Sequence, residues 1–124
     1  MRIKNTIILV FTLIALNVSA QIKVPDVGDG WKARVDSAIE LIHKTDSVSY
    51  QILIDNCFEI EYIVGDRSAC KLPNTIAINT QDLEIGSINN IAAVLVHESH
   101  HLHYYNQHLR FDNNLEEYLC YLRE

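Results

Sequence analysis

The sequence lacks a second long apolar run, an excess of basic residues and internal repeats, and each absence argues against a class of protein. Beyond residue 20 it contains no second long apolar run, which argues against a membrane-spanning protein. The first 20 residues hold two of the ten basic residues and none of the 16 acidic ones, so the remaining 104 residues carry a net charge of about −8. This acidity argues against nucleic acid and anionic membranes as partners. No internal repeat is present, and the length indicates one small domain.

Residues 1–20 have the features of a secretory signal peptide. Arg2 and Lys4 form a positive start, residues 7–16 are apolar except for one Thr, and Val18-Ser19-Ala20 offers small residues at the cleavage site. The alternative is a membrane anchor, but the apolar run is shorter than a span requires. We therefore expect cleavage before Gln21, a single domain over residues 21–124, and a secreted or periplasmic location. No Cys follows the run closely, so a lipoprotein anchor is not indicated.

Three cysteines lie in the predicted mature chain: Cys57, Cys70 and Cys120. Export permits a disulfide bond, and Cys57 and Cys70 flank a short loop between segments that resemble strands. We therefore expect a Cys57–Cys70 disulfide with Cys120 free. The alternative is three thiols with no bond.

The periodicity of apolar residues predicts a small α+β domain. Residues 46–56 fit either a second short helix or the start of a strand. The other predicted elements are an amphipathic helix over residues 31–44, strands over 58–64 and 75–79, a helix from residue 88 to about 108 with Ser87 as its N-cap, and a final helix over 115–123.

The helix predicted from residue 88 contains the sequence His97-Glu98-Ser99-His100-His101, which reads H-E-x-x-H. Two His four residues apart lie on one helical face, so both imidazoles reach one Zn²⁺, and the Glu can activate a zinc-bound water. Residues 91–96 are all apolar, which predicts a helix buried on all sides. Burying two His and a Glu is costly unless they are paired or bind metal. This favours a zinc site over a solvated His-rich face that binds metal adventitiously.

A catalytic zinc site also needs a third protein ligand and an open position. On an ideal helix His103 points about 160° away from His101. His108 lies on the correct face but about 10 Å farther along the axis, and no Gly or Pro breaks the helix before it. Neither is therefore expected to bind the same ion.

Three acidic residues farther along the chain are the remaining candidates: Asp112, Glu116 and Glu117. Glu116 and Glu117 lie in the first turn of the final helix, where acidic side chains also favour the helix dipole, so a surface role is the alternative for both. A short helical hairpin would instead bring one of them beside His97 and His101. That arrangement would complete a site of two His and one Glu.

The motif followed by a helical Glu resembles the gluzincin group of zinc metallopeptidases, over residues 75–121. In that group two or three strands lie beside the active-site helix, and a second helix supplies a Glu ligand that is often followed three residues later by a small residue. Glu117 fits this spacing because Cys120 follows it, whereas Glu116 would place Leu119 there. The resemblance therefore implies His97, His101 and Glu117 as the metal ligands.

The resemblance also implies a mechanism. Glu98 would act as the general base on a zinc-activated water and deliver the proton to the leaving amine. The strand at 75–79 precedes the helix, as the substrate-aligning edge strand does in zincins, so we expect it to pair with an extended peptide. Candidate donors to the developing oxyanion are Tyr104, Tyr105, Tyr121 and His100. The chain departs from the group in that only 15 residues separate His101 from Glu117, and Tyr121 stands where some members have Asp.

The sequence thus predicts a minimal zincin-like α+β domain with an N-terminal helix, a small antiparallel or mixed sheet, a buried H-E-x-x-H helix and a short C-terminal helix. The predicted function is hydrolysis of a peptide or protein substrate with Zn²⁺ as the cofactor. Neither nucleic acid nor, after signal cleavage, a membrane is an expected partner. The alternative is a non-catalytic zinc-binding or protein-interaction domain on the same scaffold, because so small a chain leaves little material for a substrate cleft.

Overall fold

The computed structural model describes residues 22–64, 67–79, 87–110 and 113–121, so the predicted signal peptide lies outside the described residues. Within these ranges the chain is α+β, with four helices and a three-stranded mixed sheet, which confirms the predicted class. None of the described helices has the length and apolar character of a membrane span. In chain order the elements are α1 (Trp31–Thr45), α2 (Ser47–Asn56), β1 (Glu59–Ile63), β2 (Ala69–Lys71), β3 (Thr75–Asn79), α3 (Ile88–Asn106) and α4 (Asn113–Tyr121).

Helix α1 buries the stripe that its 3.6-residue period predicted. Trp31, Val35, Ala38 and Ile42 are buried, and Ile39 is half-buried beside them. The charged residues of the opposite face include Lys32, whose Nζ lies 2.7 Å from Asp36. This exposed pair contributes little stability, so the helix is held mainly by its apolar face.

Helix α2 covers Ser47–Asn56, the segment for which the sequence allowed either a helix or the start of a strand. Asp46 is its N-cap and accepts hydrogen bonds from the Ser49 amide at 3.0 Å and from the Ser49 hydroxyl at 2.6 Å. The cap satisfies a backbone donor that a helix start leaves without a partner. Leu53, which is fully buried, joins α2 to the core that α1 and α3 share. The capping and the burial together favour the helix over a strand.

The sheet has the order β1-β3-β2, with β3 parallel to β1 and antiparallel to β2. Four of the five residues of β3 are buried, from Ile76 to Asn79. The prediction that strand 75–79 is an edge strand is therefore wrong, because it is hydrogen-bonded on both sides. The outer strands are β1 and β2, and β2 has only three residues, which is too short to show an alternating pattern.

Helix α3 contacts each of the other described helices as well as β2 and β3. The prediction that it is buried on all sides is only partly right, since Ala93 and Val94 are half-buried. Its C-terminal end is fixed by Asn106, whose amide donates to Asn56 Oδ1 at 2.9 Å and to the Pro73 carbonyl at 3.3 Å. These bonds tie the end of α3 to the end of α2 and to the turn between β2 and β3.

The predicted Cys57–Cys70 disulfide is wrong, since both residues are free thiols, as is Cys120. Cys57 lies just before β1 and Cys70 lies on β2, with β3 between the two strands. Two strand spacings are about 9.6 Å, whereas bonded cysteines have Cα atoms less than about 7 Å apart. The strand order, which the sequence did not predict, therefore separates this pair. Cys57 Sγ instead lies 3.4 Å from the Glu59 carbonyl.

Candidate metal centre

Two histidine rings of α3 meet at their Nε2 atoms. Ser87 caps the start of the helix by accepting from the Asn90 amide, as predicted. His97 and His101 follow on successive turns, with their Nε2 atoms 3.2 Å apart. The His97 residue is 7% exposed, and the His101 side chain is 13% exposed. Both rings are thus largely shielded from water, and this burial requires polar partners.

The chain reverses direction directly after α3. The helix ends at Asn106, two residues before the predicted end, and His108 adopts a left-handed conformation with φ of 56°. The His108 amide donates to the Tyr105 carbonyl at 3.0 Å, and the Leu109 amide donates to the Tyr104 carbonyl at 2.9 Å. These two bonds form a Schellman motif, which terminates a helix. The turn lets α4 pack back against α3.

Helix α4 brings Glu117 to the two rings. Its Oε1 lies 3.0 Å from His101 Nε2, and its Oε2 lies 3.2 Å from His97 Nε2. Among the described residues, these three side chains form one group whose ligand atoms all lie within 4.8 Å of one another. Atoms bound to a tetrahedral zinc at 2.0–2.1 Å are about 3.3 Å apart, and two imidazoles with a carboxylate are a known catalytic zinc set. The residues present therefore fit a zinc ion.

Glu116, the other predicted candidate, contacts the opposite edge of the His101 ring. Its Oε1 accepts a hydrogen bond from His101 Nδ1 at 2.8 Å. Nδ1 and Nε2 lie on different edges of an imidazole, so Glu116 is not positioned beside the ion that Nε2 would bind. The structure brings both glutamates to the site and separates their contacts. The expectation that only one of them reaches the histidines is thus too narrow.

Glu98 is anchored to β2, one of the two outer strands of the sheet. Its Oε2 accepts a hydrogen bond from the backbone amide of Cys70 on β2 at 2.8 Å. Burial raises the pKa of the Glu98 carboxyl above its ordinary value, while His97 and the Cys70 amide partly oppose that rise. A carboxylate with a raised pKa accepts a proton more readily than a solvent-exposed Glu does. The side chain next to the first His thus has the environment of an acid–base group.

Sequence reasoning missed the contribution of β2 to this site. Cys70 lies opposite Ile76 of β3, yet its amide is directed to Glu98. Burial, with a contribution from the Glu98 carboxylate, raises the pKa of the Cys70 thiol to about 11. Burial likewise raises the pKa of Cys120 to about 12. Both thiols are therefore protonated near pH 7 when no metal is bound.

The other predicted candidates stand apart from this group. The ring of His103 lies 5.8 Å from that of Tyr104, and His108 is exposed at the helix end. Asp112 lies outside the described residues. Among the described residues, neither histidine belongs to the group formed by His97, His101 and Glu117.

The candidate oxyanion donors stay predictions. His100 is 2% exposed, and its Nδ1 donates to the Val96 carbonyl at 2.8 Å. The ring of Tyr104 lies 6.3 Å from that of His100. Tyr105 is 52% exposed. The side chain of Tyr121 lies outside the described residues.

Comparison with known proteins places the chain in no family. No family model, no curated protein and no solved structure matches it. The likeness to gluzincins therefore consists of the H-E-x-x-H sequence, the spacing from Glu117 to Cys120, and the group formed by His97, His101 and Glu117.

Proposed function

We propose that this chain is an exported zinc metallopeptidase of the minimal zincin type. In this proposal His97, His101 and Glu117 hold Zn²⁺, and Glu98 is the general base. The observation that carries the proposal is the convergence of two imidazole Nε2 atoms and one carboxylate at separations of 3.0–3.2 Å. Two of these residues come from α3 and one from α4, so the motif alone does not produce the group. A solvated His-rich face would need no such third partner.

Zinc, when bound, polarises a peptide carbonyl and makes water acidic near neutral pH. The residues of this chain supply the rest of the chemistry. Glu98 has one oxygen held by the Cys70 amide, which fixes the carboxylate next to the ligand group. Its other oxygen takes a proton from the attacking water and delivers it to the amine that leaves. The half-buried position limits competition from bulk water.

The arrangement of elements supports the zincin part of the proposal. A three-stranded sheet lies beside the helix that carries the motif, and a second helix supplies the Glu. The strand next to Glu98 is β2, which has an edge that β3 does not occupy. The Cys70 amide is already bonded to Glu98, so an extended peptide at this edge would pair with other backbone groups of β2 and would run past Glu98. The substrate-aligning role proposed for residues 75–79 therefore passes to β2.

The proposal of export rests on residues 1–20, which have the charge, apolar run and small residues of a cleaved signal. The Lys23 amide donates to the Phe58 carbonyl at 2.8 Å, and the Lys23 carbonyl accepts from the Ile60 amide at 2.9 Å. The chain that follows the cleavage site is thus bonded to β1, which suits a mature protein that starts near residue 21.

A non-catalytic zinc-binding domain is the second candidate. The observation that favours it is the hydrogen bond from Cys70 to Glu98, because a base that is already bonded has less capacity to accept a proton. In this case the ligand group would stabilise the fold and Glu98 would join α3 to β2. The two candidates share the metal site and differ only in the role of Glu98.

The substitution Glu98→Gln separates the two candidates. Gln keeps the size of the side chain and an oxygen that accepts from Cys70, but it cannot act as a base. We expect the mature wild-type protein to bind about one zinc per chain and to cleave members of a broad peptide library. Glu98→Gln should keep the zinc and reduce cleavage by about 10²–10⁴-fold.

Glu40→Gln is the matched control, since Glu40 lies on the exposed face of α1 and loses the same charge. It should match the wild type in zinc content and cleavage. A wild-type protein that binds zinc but cleaves no peptide would favour the non-catalytic candidate. If Glu98→Gln retains full activity, the assignment of the base is wrong.

A further inference from the structure

Glu116 and Glu117 are neighbours in the chain but contact different nitrogen atoms. Glu117 lies at the Nε2 atoms of both histidines, whereas Glu116 accepts from Nδ1 of His101. Adjacent helical residues point about 100° apart, so two residues from one turn of α4 contact the His101 ring at two different edges. The side chain of Glu116 is 23% exposed and that of Glu117 is 52% exposed. The contact to Nδ1 is therefore the better shielded of the two.

We propose that Glu116 is a positioning residue that fixes the ring orientation and tautomer of His101, an inference that rests on the proposed metal site. A carboxylate that accepts from Nδ1 requires the proton to be on Nδ1. Nε2 then presents its lone pair to the ligand group. A carboxylate hydrogen-bonded to a ligand histidine also raises the basicity of the metal-binding nitrogen. Glu116 thereby acts on the metal through His101 without touching it.

The sequence offered two other roles for Glu116, and the geometry argues against both. As a ligand, it would have to lie beside Nε2, but its Oε1 is 2.8 Å from Nδ1. As a residue that only favours the dipole of α4, it would need no partner on α3. The distance is typical of a hydrogen bond between a charged acceptor and a ring N–H. The bond to His101 thus gives Glu116 a role beyond that of a surface acid.

The experiment compares zinc affinity in Glu116→Ala, Glu116→Gln and the wild type, measured by competition with a chromophoric chelator at one pH. Glu116→Ala removes the acceptor, and we expect a loss of about 10–100-fold in zinc affinity. Glu116→Gln keeps an oxygen acceptor without the charge, so its loss should be smaller. A residue that only favours the helix dipole would give equal effects in both variants, because both lose the charge. That equality would overturn the proposal.

A spectroscopic readout tests the positioning role without any activity assay. In zinc-loaded protein with ¹⁵N-labelled histidine, the wild-type His101 should be the Nδ1–H tautomer with a slowly exchanging ring proton. In Glu116→Ala that proton should exchange rapidly with water. Glu116→Gln, which keeps an acceptor, provides a test even if the Ala variant folds poorly.

Two variants distinguish failure of this inference from failure of the metal site. If Glu117→Ala loses zinc while Glu116→Ala binds within twofold of the wild type, the metal site stands and the positioning role is wrong. If His97→Ala and Glu117→Ala both bind zinc as the wild type does, the ion is held elsewhere. In that case the proposed function and this inference both fail.

Discussion

Zinc should stabilise the fold by joining α4 to the rest of the molecule. Helix α4 has nine residues, and an isolated helix of that length is marginal in water. It packs against α3, where Glu116 and Glu117 meet the histidines. An ion shared by two ligands of α3 and one of α4 would hold the two helices together. The perturbation is therefore to add zinc to metal-free protein and to follow unfolding.

The magnitude follows from linkage. A ligand that binds only the folded state at 100 times its Kd stabilises that state by about 2.7 kcal/mol. In a domain of this size 1 kcal/mol shifts Tm by about 4–8 °C, so we expect a rise of about 11–22 °C. The ligand atoms already lie 3.0–3.2 Å apart, so little of this energy is lost in rearranging side chains.

The assay is thermal unfolding followed by circular dichroism, with hydrogen exchange of the α4 amides as a local readout. Glu117→Ala removes one ligand, and a 100-fold weaker Kd would leave about 0.4 kcal/mol of stabilisation at the same zinc concentration. The rise in its Tm should then be only about 2–3 °C. Glu40→Gln should behave as the wild type. If the wild type gains less than its Glu117→Ala variant, or the same amount, the reasoning is refuted.

Two further predictions concern the fold around the site. In urea unfolding, His108→Gly should stabilise the protein by about 0.5 kcal/mol, because Gly adopts the positive φ of 56° without strain and this gain exceeds its larger loss of backbone entropy on folding. Gln107→Gly is the control and should destabilise the protein, because Gln107 has an ordinary φ of −85°. A destabilised His108→Gly would contradict the Schellman interpretation. The second concerns alkaline pH, where burial raises the pKa of Cys57 from 9.0 to about 12. The folded state keeps this proton between pH 9 and 12 while the unfolded state releases it, so stability is full below pH 9 and falls by up to about 1.4 kcal/mol per pH unit above it. Chemical unfolding at pH 8 and 10.5 should show a smaller decrease for Cys57→Ala than for the wild type, and equal decreases would show that this thiol does not carry the effect.

Much of the ligand group could be predicted because its signals are local in the chain. His97 and His101 are four residues apart, and helical geometry alone places them on one face. Ser87 and the apolar run after it predict the helix that contains both histidines. The position of Glu117 depends on the turn after α3 as well as on local helical geometry. That turn is made by His108 in a left-handed conformation. Gly and Asn are the residues that usually indicate this conformation in a sequence, so a His does not predict it.

The rest depends on contacts between segments that are distant in sequence. Strand β2 has three residues, and its place at the edge follows from pairing with β3, which no local pattern encodes. The anchoring of Glu98 by Cys70, 28 residues away, was therefore not predictable. The predicted Cys57–Cys70 disulfide is wrong for the same reason, because the distance between the two residues depends on the strand order and not on the loop length. The different contacts of Glu116 and Glu117 were also not predictable, because they depend on where each carboxylate lies relative to the two ring nitrogens of His101.

The most direct test of the central claim is X-ray absorption spectroscopy at the zinc edge of the metal-loaded mature protein. We expect one zinc per chain, with nitrogen and oxygen neighbours at about 2.0–2.1 Å and outer-shell scattering from two imidazoles. Glu117→Ala should alter this spectrum, whereas Glu40→Gln should not. A sulfur neighbour at about 2.3 Å would assign the ion to Cys70 or Cys120 and would contradict the ligand set. Zinc-supplemented protein that retains no zinc would contradict the site itself.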